Sequence, residues 1–266
     1  MIDIHCHMLP SIDDGATDIE TALCMAQMAV DDGITKTVCT PHIYPGVFEN
    51  TKQIIQKAVE DFRKELLDSD IPLELAFAAD THMAPDLIEG IRSDRIPTIN
   101  GSRYLLFEPP HNIAPPRFEE FVFSLLAQDI IPVITHPERL KWINTHYDVF
   151  INVARRGAWL QVTGGAVTGK FGKKVRYWAE RMLDERVVHV LATDAHNIRH
   201  RPPILSEACE AAERWMSPEE VKLMVYDRPL ATVMDTPPGE LPTPEGLLAE
   251  HAHKKTKKSF IKRIFG

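Results

Sequence analysis

The chain has four cysteines in 266 residues, and no two of them form a C-x-x-C pair. That lack argues against a thiolate zinc site and against a disulfide framework, so Cys6, Cys24, Cys39 and Cys209 are expected as the reduced thiols of a cytoplasmic protein. None is followed six residues later by the arginine that a thiolate phosphatase loop requires. Those positions hold Ile12, Val30, Pro45 and Trp215, which excludes that chemistry. No long apolar run occurs, and MIDIHCH enters a strand without a basic n-region or an apolar h-region, so neither a membrane span nor a secretory signal is expected. A basic excess is missing too. The net charge of −8 argues against a nucleic-acid partner, because such proteins need a basic surface to displace phosphate counterions. The charge is uneven, however: residues 254–266 hold six basic side chains and no acidic one, and subtracting these from −8 leaves −14 on the rest. A glycine-rich first βα turn is also lacking, since SIDDGA is no dinucleotide loop, and this disfavours an open doubly wound sheet.

What is present is a repeating grammar of short β-branched runs and longer amphipathic segments, the pattern of βα units on a parallel sheet. Seven units are legible. MIDIH precedes DIETALCMAQMAVDDG, TKTVCT precedes TKQIIQKAVEDFRKELLDS, and LELAFA precedes APDLIEGIRS. YLLFE precedes a proline-started helix in PPRFEEFVFSLLAQD, and IPVIT precedes HYDVFINVARRG. AWLQVT precedes GKKVRYWAERMLDE, and VVHVLAT precedes ILSEACEAAERW. A further helix is expected from Ser217, with Pro218 in its first turn. No linker interrupts residues 1–235, which read as one domain, a closed or nearly closed α/β barrel. Residues 236–266 read as a Pro-rich linker and a basic C-terminal tail.

In such barrels the chemistry sits just past the C-terminal strand ends. His5 and His7 share one face of the first strand, because strand side chains alternate. His42 follows the second strand, Asp80 the third, Glu108 the fourth and His136 the fifth. Asp194 and His196 follow the seventh. A nitrogen and oxygen donor set without thiolate suits manganese, iron(II) or zinc in a hydrolytic site. There are too many donors for one ion, which implies at least two, with room for a third.

The stretches MIDIHCHMLPSIDDGA, SRYLLFE, PVITHPER and VHVLATDAHNIRHRPP resemble the polymerase and histidinol phosphatase (PHP) superfamily, a trinuclear distorted (β/α)7 barrel. More narrowly they are similar to the bacterial manganese-dependent protein-tyrosine phosphatases of capsule and exopolysaccharide clusters. The resemblance covers residues 1–235 and implies three ion sites. His5, His7, Asp80 and Asp194 would hold one; Asp80, Glu108 and His136 a second; Asp14, His42 and His196 a third. Arg139 and Arg201 lie on mouth loops and match the family's phosphate-gripping arginines, and guanidinium forks suit phosphate oxygens.

One position departs from the pattern. The family usually places Glu where this chain has Asp80, a side chain shorter by one methylene, so that either the strand end moves inward or one ion is held more weakly. His82, two residues on, is read as a surface histidine, with compensation for the shorter Asp80 as the alternative; His189 is read as a wall or core histidine, and His111, His146, His200, His251 and His253 are assigned no role. Lys170, Lys173 and Lys174 either attract anions or simply open a helix, and Gly164 and Gly165 serve a tight turn. Tyr44, Phe48 and Phe107 either shape an aromatic pocket or belong to the core, as aromatics near strand ends commonly do.

The resemblance implies hydrolysis of phosphotyrosine in a protein, an autophosphorylating tyrosine kinase of polysaccharide assembly, by two or three Mn2+ ions, with Fe2+ or Zn2+ as substitutes. Two alternatives stand beside it: a small-molecule phosphatase of the histidinol-phosphate type, and a catalytically weakened protein that docks on the kinase. In the tail, Phe260, Ile261, Ile264 and Phe265 would share one helical face among lysines, the pattern of weak contact with an anionic membrane, with a solvated end as the alternative.

Overall fold

The computed structural model describes residues 1–248, so the basic tail and its membrane contact lie outside the described residues. All seven expected strand segments form: β1 (Ile2–Cys6), β2 (Lys36–Cys39), β4 (Glu74–Phe77), β6 (Tyr104–Glu108), β7 (Ile131–Thr135), β8 (Trp159–Thr163) and β9 (Val190–Ala192). Two short strands come in addition, β3 (His42–Ile43) and β5 (Asp80–His82), in stretches expected as loops. All pairings are parallel, and they fall into a sheet of order β1-β2-β4 and a sheet of order β3-β5-β6-β7-β8-β9. The second and third units each cross from one sheet to the other. Pro41, between β2 and β3, has no N–H to donate, so the ladder breaks there and resumes with a new partner. Backbone bonds also tie the far edges. Asp194 N–H donates to the His5 carbonyl at 2.8 Å, and His7 N–H to the Ala195 carbonyl at 2.8 Å.

The helices follow their capping chemistry. Asp18 Oδ1 accepts from Thr21 N–H and starts the helix Ile19–Asp31, and Thr51 starts Lys52–Asp68 in the same way. Ser217 Oγ accepts from Glu220 N–H and starts Pro218–Lys222, as expected from Ser217 and Pro218. The fourth helix, Phe118–Leu126, begins after Pro115 and Pro116 rather than at them, because Arg117 takes a left-handed φ of 58°.

The strands are buried on both faces, as covered parallel strands must be. One face of β6 carries Tyr104, Leu106 and Glu108; one of β8 carries Trp159, Gln161 and Thr163. Each of these faces is apolar at the N-terminal end, where Tyr104, Leu106, Val133, Trp159 and Val190 share a core, and polar at the C-terminal end. The polar groups therefore gather at one end of the sheets. Residues 236–248 lie against the body: Leu247 is buried, and the buried Arg228 donates from Nη2 to the Pro242 carbonyl at 2.9 Å. No helix among the described residues is long and apolar enough to cross a membrane.

Candidate metal centre

At that polar end all nine expected donors converge. Their ligand atoms fall into groups whose members lie within 4.8 Å of one another: His7, Asp14, His42 and His196; His5, His7 and Asp80; His5, His136 and Asp194; and His42, Asp80 and Glu108. A further group, Glu108, His111 and His136, includes a histidine to which the sequence assigned no role. His111 follows no strand; it reaches the site because its loop returns over β6 and its Nε2 lies 3.2 Å from Glu108 Oε1. Shared members link these groups into one cluster.

Two donors sit where the backbone turns sharply out of a strand. His136 has φ 35° and Asp194 has φ 51°, left-handed values that non-glycine residues rarely adopt and that aim each side chain back across the strand ends. Gly15 makes a close approach possible in the first loop, since a Cβ there would lie 2.0 Å from the His7 carbonyl oxygen. Asp13 is the member of the Asp13–Asp14 pair that turns inward, and its Oδ2 accepts from His7 Nδ1 at 2.7 Å. Asp14 is left half-exposed, facing His42 and His196.

Several features fit a bound cation. His5 Nδ1 donates to Gln161 Oε1 at 2.9 Å and His7 Nδ1 donates to Asp13, so both rings turn Nε2 toward each other, 3.1 Å apart. Two facing lone pairs at that separation call for a positive charge between or upon them. Both oxygens of the fully buried Asp80 lack a hydrogen bond, as do His42 Nδ1 and His136 Nδ1. Burial pushes the Asp80 carboxyl up, with Glu108 adding to it. Burial alone would lower His5, but Asp194 and Asp80 push it up to about 9. Burial would likewise raise Asp194, yet His5, Arg139 and Arg201 hold it well below the carboxylate range. The cluster thus demands cationic charge, and hard oxygens with imidazole nitrogens suit a divalent first-row ion.

Asp80, despite its missing methylene, has a ligand atom near both His5 and His7 and near both His42 and Glu108. Arg139 and Arg201 both reach Asp194 Oδ2, the latter from Nη2 at 2.6 Å. Phe171, a residue without a sequence signal, joins the two arginines: its ring centre lies 4.6 Å from the Arg139 guanidinium and 5.9 Å from that of Arg201. Lys170 pairs with Glu207 at 2.9 Å. His82 is not a plain surface histidine; it is largely covered, stacked under Tyr44 with ring centres 4.0 Å apart, its Nδ1 3.5 Å from Glu108. Phe48 stacks on His42, while Phe107 is fully buried against Phe118 and Phe121 and belongs to the core rather than to a pocket. His189 is a core residue, as expected, its Nδ1 accepting from Leu160 N–H at 3.1 Å.

Fold and site define a class: a parallel α/β protein whose strand ends gather imidazoles and carboxylates able to hold several cations, flanked by two arginines. The chain belongs to the family described as capsular polysaccharide synthesis, CpsB/CapC, whose pattern matches residues 1–234. It is 31% identical over 245 residues to the tyrosine-protein phosphatase YwqE of Bacillus subtilis, covering 90% of this chain and 95% of that one. Identity to the tyrosine-protein phosphatase CpsB of Streptococcus pneumoniae is 28%, over 88% of this chain and 99% of that one. Among solved structures, one described with YwqE and CpsB as unique metal-dependent tyrosine phosphatases superimposes with a TM-score of 0.84 at 31% identity, over 88% of this chain and 95% of that one. Dihydropyrimidinase from Brevibacillus agri matches with a TM-score of 0.52 at 10% identity, over 89% of this chain and 71% of that one, a likeness of fold alone.

Proposed function

We propose that this protein is a metal-dependent protein-tyrosine-phosphatase acting on a phosphorylated tyrosine kinase of polysaccharide assembly. The observation that carries the reading is the single cluster of His5, His7, Asp14, His42, Asp80, Glu108, His136, Asp194 and His196 beside two guanidinium groups. Its relatives' names supply the substrate class. Two or three ions, manganese with iron(II) or zinc as substitutes, would be held by these nine side chains, with His111 joining Glu108 and His136. When bound, such ions acidify a water into a nucleophile and neutralise phosphoryl oxygens.

The chain's own groups do the rest. Arg139 and Arg201 turn their forks from Asp194 to the equatorial oxygens of the phosphoryl group, and Phe171 keeps both guanidinium planes at the mouth. The bond between phosphorus and the tyrosine oxygen breaks in line. A phenol leaves with a pKa of about 10, so this reaction needs less help from a general acid than release of an alkyl alcohol. Tyr44 and Phe48, stacked on His82 and His42, flank the opening through which the ring would leave.

The two sheets are read as arcs of one distorted (β/α)7 barrel, supported by the bonds that join β9 to β1. Residues 1–235 form the catalytic domain in this reading, with the Pro-rich segment and the basic tail appended. The enzyme is placed in the cytoplasm, where its cysteines stay reduced. Asp80, able to reach both neighbouring groups, favours a working enzyme over a weakened docking protein. The experiment compares turnover of manganese-loaded protein on a phosphotyrosine peptide, a phosphoserine peptide and histidinol phosphate. Preference for the first is expected, and preference for histidinol phosphate would replace this reading with that of a small-molecule phosphatase.

A further inference from the structure

The five imidazoles that follow the strand ends are not equally supported. His7 Nδ1 donates to a carboxylate, Asp13, at 2.7 Å; His5 Nδ1 donates to an amide, Gln161, at 2.9 Å. His196 Nδ1 donates to the Asp194 carbonyl at 3.1 Å, and the Nδ1 atoms of His42 and His136 make no hydrogen bond. Asp13 is also held fast. Its Oδ1 accepts from Gly15 N–H at 2.9 Å and its Oδ2 from His42 N–H at 3.0 Å, so one buried carboxylate fixes His7, the backbone of His42 and the turn that carries Asp14. Gln161, fully buried, accepts from His5 and makes no bond through Nε2.

We propose that Asp13 and Gln161 are positioning residues that grade the two histidines. Asp13 makes the group His7, Asp14, His42 and His196 the first to take up a divalent cation. Gln161 leaves the group His5, His136 and Asp194 the weaker one, and the group His5, His7 and Asp80 joins the two. The physical argument is that a carboxylate behind Nδ1–H draws the proton away and enriches the ring, strengthening the lone pair on Nε2, whereas a neutral amide orients the ring with little such push. A second asymmetry acts in the same sense. Asp194, the one carboxylate of the group His5, His136 and Asp194, shares its charge with Arg139 and Arg201, whose own charges oppose an incoming cation. This inference rests on the metal-dependent reading of the site.

The test is calorimetric titration of manganese chloride into the metal-free full-length protein, as the parent, Asp13→Asn and Gln161→Glu, with the metal-free melting temperature of each recorded beside it. The two exchanges swap carboxylate and amide behind the two rings. The parent should show a tighter and a weaker class of ion. Asp13→Asn should weaken the tighter class by roughly 10 to 100-fold and leave the weaker nearly unchanged. Gln161→Glu should tighten the weaker class by about tenfold, an effect that damage to the fold does not produce. If Asp13→Asn fails to fold, Gln161→Glu decides alone, since Nε2 has no hydrogen bond to lose. An unchanged tighter class in Asp13→Asn, equal weakening of both classes, or a weaker second class in Gln161→Glu would overturn the proposal. A parent that binds no manganese overturns the metal-dependent reading itself, and this inference with it.

Discussion

Arg201 donates from Nη2 to Asp194 Oδ2 at 2.6 Å, while the other oxygen of the same carboxylate lies 3.3 Å from His5 Nε2. One side chain thus stands between the proposed phosphate grip and the proposed ion cluster. Arg139 reaches the same Oδ2 from the loop after β7, so the grip is held ready by the group that it borders.

Arg139→Ala and Arg201→Ala should each lower turnover of a phosphotyrosine peptide by roughly 10² to 10³-fold, because a preorganised charge aimed at the phosphoryl oxygens is lost. Bound manganese per chain should stay at the parent value. Steady-state kinetics with elemental analysis checks both, and parent turnover in both variants would place these arginines outside the reaction.

Asp80→Glu should lower both manganese affinity and activity. Asp80 is fully buried and already has a ligand atom close to His5, His7, His42 and Glu108, so an added methylene crowds a packed cluster. A titration of activity against manganese distinguishes the outcomes. A clear gain in the Glu variant would mean that the shorter side chain leaves one ion loosely held.

Thiol alkylation should leave activity intact. Burial pushes the Cys39 thiol up to about 12 and the Cys209 thiol up to about 11, and it holds Cys6 well above the ordinary thiol range, so none of these is a ready thiolate. Activity after iodoacetamide treatment measures this, and stoichiometric inactivation would contradict it.

Stability should fall as pH drops through about 6.5, in part because of His189. Burial, with the charge of Arg228 added, holds this imidazole well below its ordinary range, so the folded chain keeps it neutral while the unfolded chain protonates it. The unfolded state then binds the extra proton, and stability rises with pH across that window. His189→Gln should remove about 1 kcal/mol of the loss seen between pH 7.5 and 5.5 in urea unfolding, and an unchanged loss would show that His189 does not contribute.

The strand ends are legible because a buried parallel strand is a run of apolar residues, and an imidazole or carboxylate in its last positions or just after it stands out. His5, His7, His42, Asp80, Glu108, His136, Asp194 and His196 all carry that signature. His111 lacks it, since it sits three residues beyond Glu108 in a loop whose return over the site depends on tertiary packing. Residue type and spacing do not separate Asp13 from Asp14, and it is the resemblance that singles out Asp14. Only the turn at Gly15 determines which points inward. The short strands at His42–Ile43 and Asp80–His82 leave no mark in the sequence, because two or three residues show no periodicity. Phe171 carried no signal at all: an aromatic residue in a loop is recognised as a support for two arginines only when both are seen in space.

The most direct test of the central claim is turnover of a phosphotyrosine peptide by the metal-free protein as manganese is added back, with bound ions per chain measured at each step. Activity should be absent without metal and should rise only as two or more ions bind; His5→Ala, His7→Ala protein should show neither binding nor turnover. Full activity in demonstrably metal-free protein would contradict the account.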